Sequence, residues 1–260
     1  MTHSTTTSND PKQTVLSRIG AVLFWLAIWE LAAKAIGEDI ILVSPIKVVA
    51  NLSHMLGSAS FWKAVGFSFS RIAGGFFLAM FLGTLLAALA SKIPVVRSLL
   101  APLVKTVKAV PVASFIILVL LWVPSRNLSI CISFLMVFPI IYTNVLQGFD
   151  STSKELLEMA DLFRIPTSRR ITAIYLSQVM PFFRSACSLG LGLAWKSGIA
   201  AEVIGIPAGS MGENLYQAKV FLATADLFSW TLVIVLVSVS FEHIVLTILD
   251  HAVTAMERKS

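Results

Sequence analysis

"ELLEMADLFRIPTSRRITAIYLS" (residues 155–177) separates two apolar stretches, each long enough to cross a bilayer. It holds Glu155, Glu158, Asp161, Arg164, Arg169 and Arg170, and it is broken at Pro166. Charge this dense between apolar runs marks a loop in water that joins two membrane spans. The local signals on both sides of the proline are helical. Thr152 to Glu155 fits a capping box that starts a helix near Ser153. Leu156, Ala160 and Phe163 then share one face, with Lys154, Glu155, Glu158 and Asp161 largely off it. Pro166 disfavours a helical residue before it and stops the helix. Thr167 can cap a second helix, in which Ile171, Ile174 and Val179 give an apolar side. The spacing predicts a helical hairpin within 150–177. A simple link between spans needs no two capped, faced helices, so the hairpin reads as a docking element.

The rest of the chain supports a membrane setting. Of its 260 residues, 57% are hydrophobic and 13% charged, with a mean hydropathy of +0.85. Soluble domains are nearer about 45–50% apolar and about 25% charged. A span takes roughly 20 apolar residues, which places spans near 19–36, 64–90, 111–124, 128–149, 178–204 and 229–250. The predicted fold class is all-α, a polytopic membrane protein of about six transmembrane helices with a cytoplasmic hairpin. The third span is short, and the semi-apolar "SLLAPLVKTVKAVP" (98–111) before it is expected to enter the membrane at an angle. Residues 1–17 are polar and Ser/Thr-rich, and read as a flexible tail ahead of one transmembrane domain, 18–260. The first apolar run lacks a small-residue cleavage pattern and is expected to remain as a span.

An even span count puts both termini on one side, and charge says which. With the N-terminus inside, Lys12, Arg18, Lys92, Arg97, Lys105, Lys108, Lys154, Arg164, Arg169, Arg170, Arg258 and Lys259 are cytoplasmic. Only Lys47, Lys63, Arg126 and Lys219 are then outside, which fits the positive-inside rule. The net charge of +6 is thus topological and does not point to nucleic acid. Among the outer loops, "VSPIKVVANLSHML" (43–56) has a Ser-Pro helix start, with Ile46, Val49, Leu52 and Leu56 at helical spacing.

Chemistry is sparse. The chain has no G-x-x-x-x-G-K-[ST] phosphate loop, and its four histidines lack metal-ligand spacing. Cys131 and Cys187 read as small packing residues. No catalytic residue, metal or bound cofactor is expected. Ionisable residues within spans are functional candidates by default, and Glu30, Arg71, Arg184, Lys196 and Glu202 qualify. Trp195, Lys196, Ser197 and Glu202, around the small-residue stretch "SGIAA" (197–201), are the pathway or gate candidates. Structural charges at a helix interface are the alternative. Lys196 and Glu202 are about 240° apart around a helix and are not expected to pair. Gly75, Ala79 and Gly83 form a ridge of small residues four apart, suited to close helix packing.

The hairpin resembles the cytoplasmic loop of ABC importer permeases: Glu-Ala-Ala, three residues, Gly, nine residues, Ile-x-Leu-Pro. Here Glu158 and Ala160 match around Met159, and nine residues after Arg164 lead to Ile174-Tyr-Leu176. Arg164 stands where the family has Gly, and Ser177 where it has Pro. A left-handed turn at Arg164 costs a non-Gly residue roughly 1 kcal/mol. "LVSPIKVV" (42–49), "SFSRIAGGF" (68–76), "LLAPLVKTVKAVPVASFIILVLLW" (99–122) and "GLAWKSGIAAEVIG" (192–205) are similar, in order, to segments of the nitrate/sulfonate/taurine permease group. The resemblance implies a permease subunit that is not itself an enzyme. It implies a dimer of six-span permeases on two ATP-binding cassette subunits that carry the ATP and Mg, fed by an extracytoplasmic solute-binding protein. It also implies that Leu156, Leu157, Glu158, Ala160, Phe163 and Arg164 meet the ATPase, and that a small polar or anionic solute moves inward across the cytoplasmic membrane. Two other readings stay open at this point: a stand-alone secondary transporter, and a permease-like protein no longer coupled to an ATPase.

Overall fold

The structure, a computed structural model, describes residues 11–257. Its regular structure among these residues is all helical, eleven α-helices and one π-helical turn. In chain order these are α1 (Pro11–Ile36), α2 (Pro45–Leu56), α3 (Ala59–Lys92), α4 (Pro94–Ala109), α5 (Val112–Val119) and α6 (Ser125–Asp150). There follow α7 (Lys154–Leu162), α8 (Thr167–Arg170), the π turn Ile171–Tyr175, α9 (Leu176–Gly205), α10 (Met211–Val220) and α11 (Thr224–Glu257). Of the expected tail, residues 1–10 lie outside the described range, whereas 11–17 already belong to α1.

Three helices make the centre: α3, α6 and α9. Small residues set how closely they approach. A Cβ on Gly75 of α3 would stand 2.5 Å from the Ile130 carbonyl oxygen, and one on Gly83 would stand 3.0 Å from Ile141. Ala79, between them, is fully buried. The ridge of small residues therefore lies against α6. On α9, a Cβ at Gly198 would meet Ile72 at 2.6 Å and Ser133 Oγ at 2.7 Å. These near contacts also give direction. Gly75 meets residues 130–134 and Gly83 meets 141–142, so α3 and α6 run parallel. Gly205 meets Leu128 and Gly190 meets Val137, so α9 runs antiparallel to both. Trp195 against Phe241 and Arg184 against Asp250 set α11 antiparallel to α9.

Two parallel neighbours cannot be joined by a short turn. The chain between α3 and α6 has to travel the length of the bundle, and α4 and α5 take it there with a bend of 108°. Arg97 of α4 reaches Asp150 at the end of α6, while Leu120, just after α5, lies near Gly205 at the end of α9. This corrects the expected third span at 111–124. Its helical part is only the eight residues of α5, about 12 Å at 1.5 Å per residue. The crossing is completed by α4, to which Pro111 denies a straight continuation.

Four helices among the described residues are long and apolar enough to cross a membrane, and the bent pair makes five. Arg184, Lys196 and Glu202 lower the hydropathy of α9. Its 30 residues still give about 45 Å, and it packs along α6, so it is the sixth crossing. The ends then sort themselves. One end of the bundle gathers α2, α10 and the starts of α3, α6 and α11. The other gathers the ends of α3, α6 and α11 with α7 and α8.

The outer helix α2 begins as its Ser-Pro sequence implies, with Ser44 as cap. Ile46 and Val49 of the apolar stripe are exposed, and a different face turns inward. Val48 is buried, and Asn51 donates to Asp226 Oδ1 at 2.7 Å and to Ser229 Oγ at 3.1 Å.

A matched pair tests the central packing. Gly75→Ala drives a methyl into the backbone of α6 and is expected to cost about 1–3 kcal/mol. Gly74→Ala meets nothing within 4 Å and is expected to be neutral or to gain up to about 1 kcal/mol from helix propensity. Thermal unfolding of the two variants in detergent, monitored by circular dichroism, measures the difference.

Candidate functional site

The hairpin of residues 151–177 is built from local bonds. Ser153 caps α7, its Oγ accepting from Leu156 N at 3.2 Å. The cap is thus one residue later than the capping box implied, because the Thr152 hydroxyl donates instead to Gly148 O at 3.3 Å. The Ser153 hydroxyl also donates to Glu155 Oε2 at 2.6 Å, and this bond holds the Glu155 carboxyl below the usual range. Ser153 N donates to Gln178 Oε1 at 3.0 Å, which ties the start of α7 to α9.

At its other end α7 closes with a Schellman turn, in which Ile165 N donates to Ala160 O at 2.9 Å and Arg164 N to Asp161 O at 3.1 Å. Arg164 occupies the left-handed position with φ of 50°. An arginine thus holds a backbone conformation that glycine adopts most easily. Arg170 then clamps the turn: its guanidinium donates to Ile165 O (2.9 Å), Ala160 O (3.1 Å) and Asp161 Oδ1 (2.5 Å). Sequence reading had counted Arg170 only as loop charge.

The expected docking residues do not all face outward. Ala160 is fully buried inside the hairpin and Leu157 is half-buried. Ala160 is therefore corrected from a contact residue to a spacer that lets the two arms of the hairpin close. Leu156, Glu158, Phe163 and Arg164 are exposed. Two residues missed from the sequence join them: Met159, and Leu162 at 80% exposure beside Phe163 at 70%. Period 3.6 placed Ala160 on the apolar face correctly, but that face is turned toward the bundle at Ala160 and away from it at Leu162.

The interior candidates of α9 also separate. Trp195 is buried against Phe241 and Phe69. The Ser197 hydroxyl is buried and bonded back to Leu193 O at 2.8 Å. Glu202 is fully buried in a polar knot at the α10 end. Its Oε2 accepts from Ser68 Oγ (2.6 Å) and Gly212 N (3.2 Å), and Ser68 Oγ accepts from Met211 N (2.9 Å). Ser210 Oγ takes Glu213 N at 2.9 Å. The first-turn N–H groups of Met211, Gly212 and Glu213 in α10 are thus all met, and Glu202 places a carboxyl at the positive end of that helix. The contact requires Gly212, since a Cβ there would lie 2.3 Å from Glu202 Cβ. These three residues are buried core groups in this chain. Lys196 alone of the four is exposed, on a groove between helices. Arg184 pairs with Asp250 and Glu30 with Lys34. Among the described residues no cluster of three His, Cys, Asp or Glu side chains could hold a metal.

Residues 79–258 match the family described as binding-protein-dependent transport system inner membrane component. The chain belongs to that family. It is 24% identical over 238 residues to the taurine transport system permease protein TauC of Escherichia coli, covering 89% of this chain and 86% of the relative. It is also 24% identical to the putative aliphatic sulfonates transport permease protein SsuC of Bacillus subtilis, covering 90% and 82%. Against the nitrate import permease protein NrtB of Synechococcus elongatus the identity is 24%, covering 69% of this chain and 68% of the relative. The protein is a multi-pass ABC-transporter permease of the nitrate/sulfonate/taurine group.

Two predictions follow from the permease's bonded knots. Arg164→Gly removes left-handed strain and is expected to stabilise the hairpin by about 1 kcal/mol, read as slower amide exchange at Ile165. Glu202→Leu strands the Ser68 hydroxyl and the Gly212 N–H and is expected to cost roughly 2–4 kcal/mol in detergent unfolding. Glu202→Gln, which keeps an acceptor oxygen, is expected to cost clearly less.

Proposed function

We propose that this permease carries a small polar or anionic solute inward, driven by a separate ATPase that docks on the 151–177 hairpin. The observation that carries this reading is the apolar set Leu156, Met159, Leu162 and Phe163. It stands uncovered on a helix held by the Ser153 cap and the Arg170 clamp. An apolar face at a water-facing end is costly to leave bare and suits a groove on a partner. The docking set is accordingly Leu156, Met159, Leu162 and Phe163, with Glu158 and Arg164 as flanking charges. ATP and Mg belong to the partner subunits. The positive-inside count supports a cytoplasmic setting for this end and for both termini. One change is needed in that count: Lys108 lies along the bundle beside Thr143, not in a loop.

A second permease copy completes the assembly in this reading. The 18-residue window of α1 is only 6% buried, and the groove holding Lys196 lacks a wall on one side. The opposite end, with α2 and α10, is where a solute-binding protein meets the permease. The names of the relatives support a sulfonate-like or nitrate-like solute.

Affinity purification of the tagged permease from its native membrane is expected to bring down an ATP-binding cassette subunit, identified by mass spectrometry. Leu162→Asp with Phe163→Asp is expected to reduce that recovery at least tenfold while the permease stays folded. Recovery of the ATPase undiminished by the double variant overturns the assignment of the docking face.

A further inference from the structure

A groove of about 590 Å³ opens on one side of the bundle between α4, α6, α9 and α11. Its walls carry Lys108, Thr143, Asn144, Ser188, Lys196 and Glu242. It runs inside the bundle from Thr143, about two turns from the end of α6, to Ser188 and Lys196 near the middle of α9. The Lys108 ammonium donates to Thr143 Oγ1 at 3.1 Å, and the Ser188 hydroxyl donates to Glu242 Oε1 at 3.4 Å. Among the described residues, the Lys196 ammonium takes part in no hydrogen bond or ion pair. Gly192 lies on the groove wall, and a Cβ there would meet nothing within 4 Å.

Ammonium groups at this depth are expensive, and a chain keeps them there for an ion pathway, a relay or a ligand. Helix pairing does not explain these two, because neither meets a carboxylate in an ion pair. Two cations and one carboxylate leave the groove with a net positive charge. Low-dielectric walls focus that charge on whatever enters. We propose that the groove is a way-station for a small oxyanion group, with Lys196 and Lys108 as its two cationic contacts. This rests on the importer reading above and gives its anionic solute a place within the bundle. Lysine suits the task as a flexible point charge that follows a moving anion without fixing its orientation. Glu242 keeps the net charge at one unit, so the anion is held weakly enough to leave again.

The test uses the full permease in membrane vesicles and a cysteine at the open wall position, Gly192→Cys. Two thiol reagents of similar size are compared: anionic 2-sulfonatoethyl methanethiosulfonate and cationic 2-(trimethylammonium)ethyl methanethiosulfonate. Each rate is normalised to that of a free thiol, and the chain with only Cys131 and Cys187 supplies the background. The anionic reagent is expected to react about tenfold faster than the cationic one. Lys196→Met and Lys108→Met are each expected to lower that ratio severalfold, whereas Lys196→Arg keeps it. Nitrate or methanesulfonate is expected to slow modification, while the bulkier gluconate does not. Ser188→Cys gives a second readout should Gly192→Cys express poorly. A ratio of one or below, a ratio indifferent to both Lys→Met changes, or no modification by either reagent overturns the proposal. None of these outcomes depends on an ATPase. Loss of the ATPase interaction would sink the importer reading and leave the ratio intact, and an unbiased ratio would do the reverse.

Discussion

The nearness of α6 to α3 and α9 constrains everything else. With a methylene on Gly75 or Gly198, backbone and side-chain atoms would overlap, so the three helices approach through glycine and alanine faces. Within a membrane there is little hydrophobic gain from pressing two apolar helices together, because lipid is as apolar as they are. Close approach supplies dispersion and weak polar contacts instead, such as Ser133 Oγ on the Ala194 carbonyl at 3.1 Å.

That same packing dictates the connectivity. Because α3 and α6 run parallel, a crossing must be inserted between them, and the inserted crossing is the one broken at Val110–Pro111. A broken crossing cannot seal the bundle as an unbroken helix does. It places Lys108 beside Thr143, about two turns inside the end of α6, where a continuous apolar span would have kept a lysine out. The central contacts and the polar groove are therefore linked: the first forces the bend, and the bend admits the charge.

How much of this could be read from the residues depended on whether the deciding contact was local. The hairpin was legible because Ser153, Pro166 and the apolar spacing act within a few residues of one another. The Gly75–Ala79–Gly83 ridge was legible as a packing surface because small residues four apart have few other uses. The bend at α4–α5 was only half legible. An angled segment at 98–111 ahead of a short span was expected, but the parallel order of α3 and α6 that requires a crossing is a property of the assembled bundle. The fate of Glu202 could not be read at all. Its partners Ser68 and Gly212 lie 134 and 10 residues away, and nothing near Glu202 in the chain indicates that it closes the N-terminus of another helix. Ala160 and Leu162 show the same limit on a smaller scale, since period fixes which residues share a face but not which way the face is turned.

The π turn at Ile171–Tyr175 links the hairpin to α9 without a break in the helical rod. A π turn holds roughly one residue more than the α turn it replaces, so it shifts the angular phase of all that follows by about 100°. The second arm of the hairpin and α9 thus form one shaft whose two halves are set at different clock positions. The extra residue sets the angle at which the two ends of that shaft are engaged.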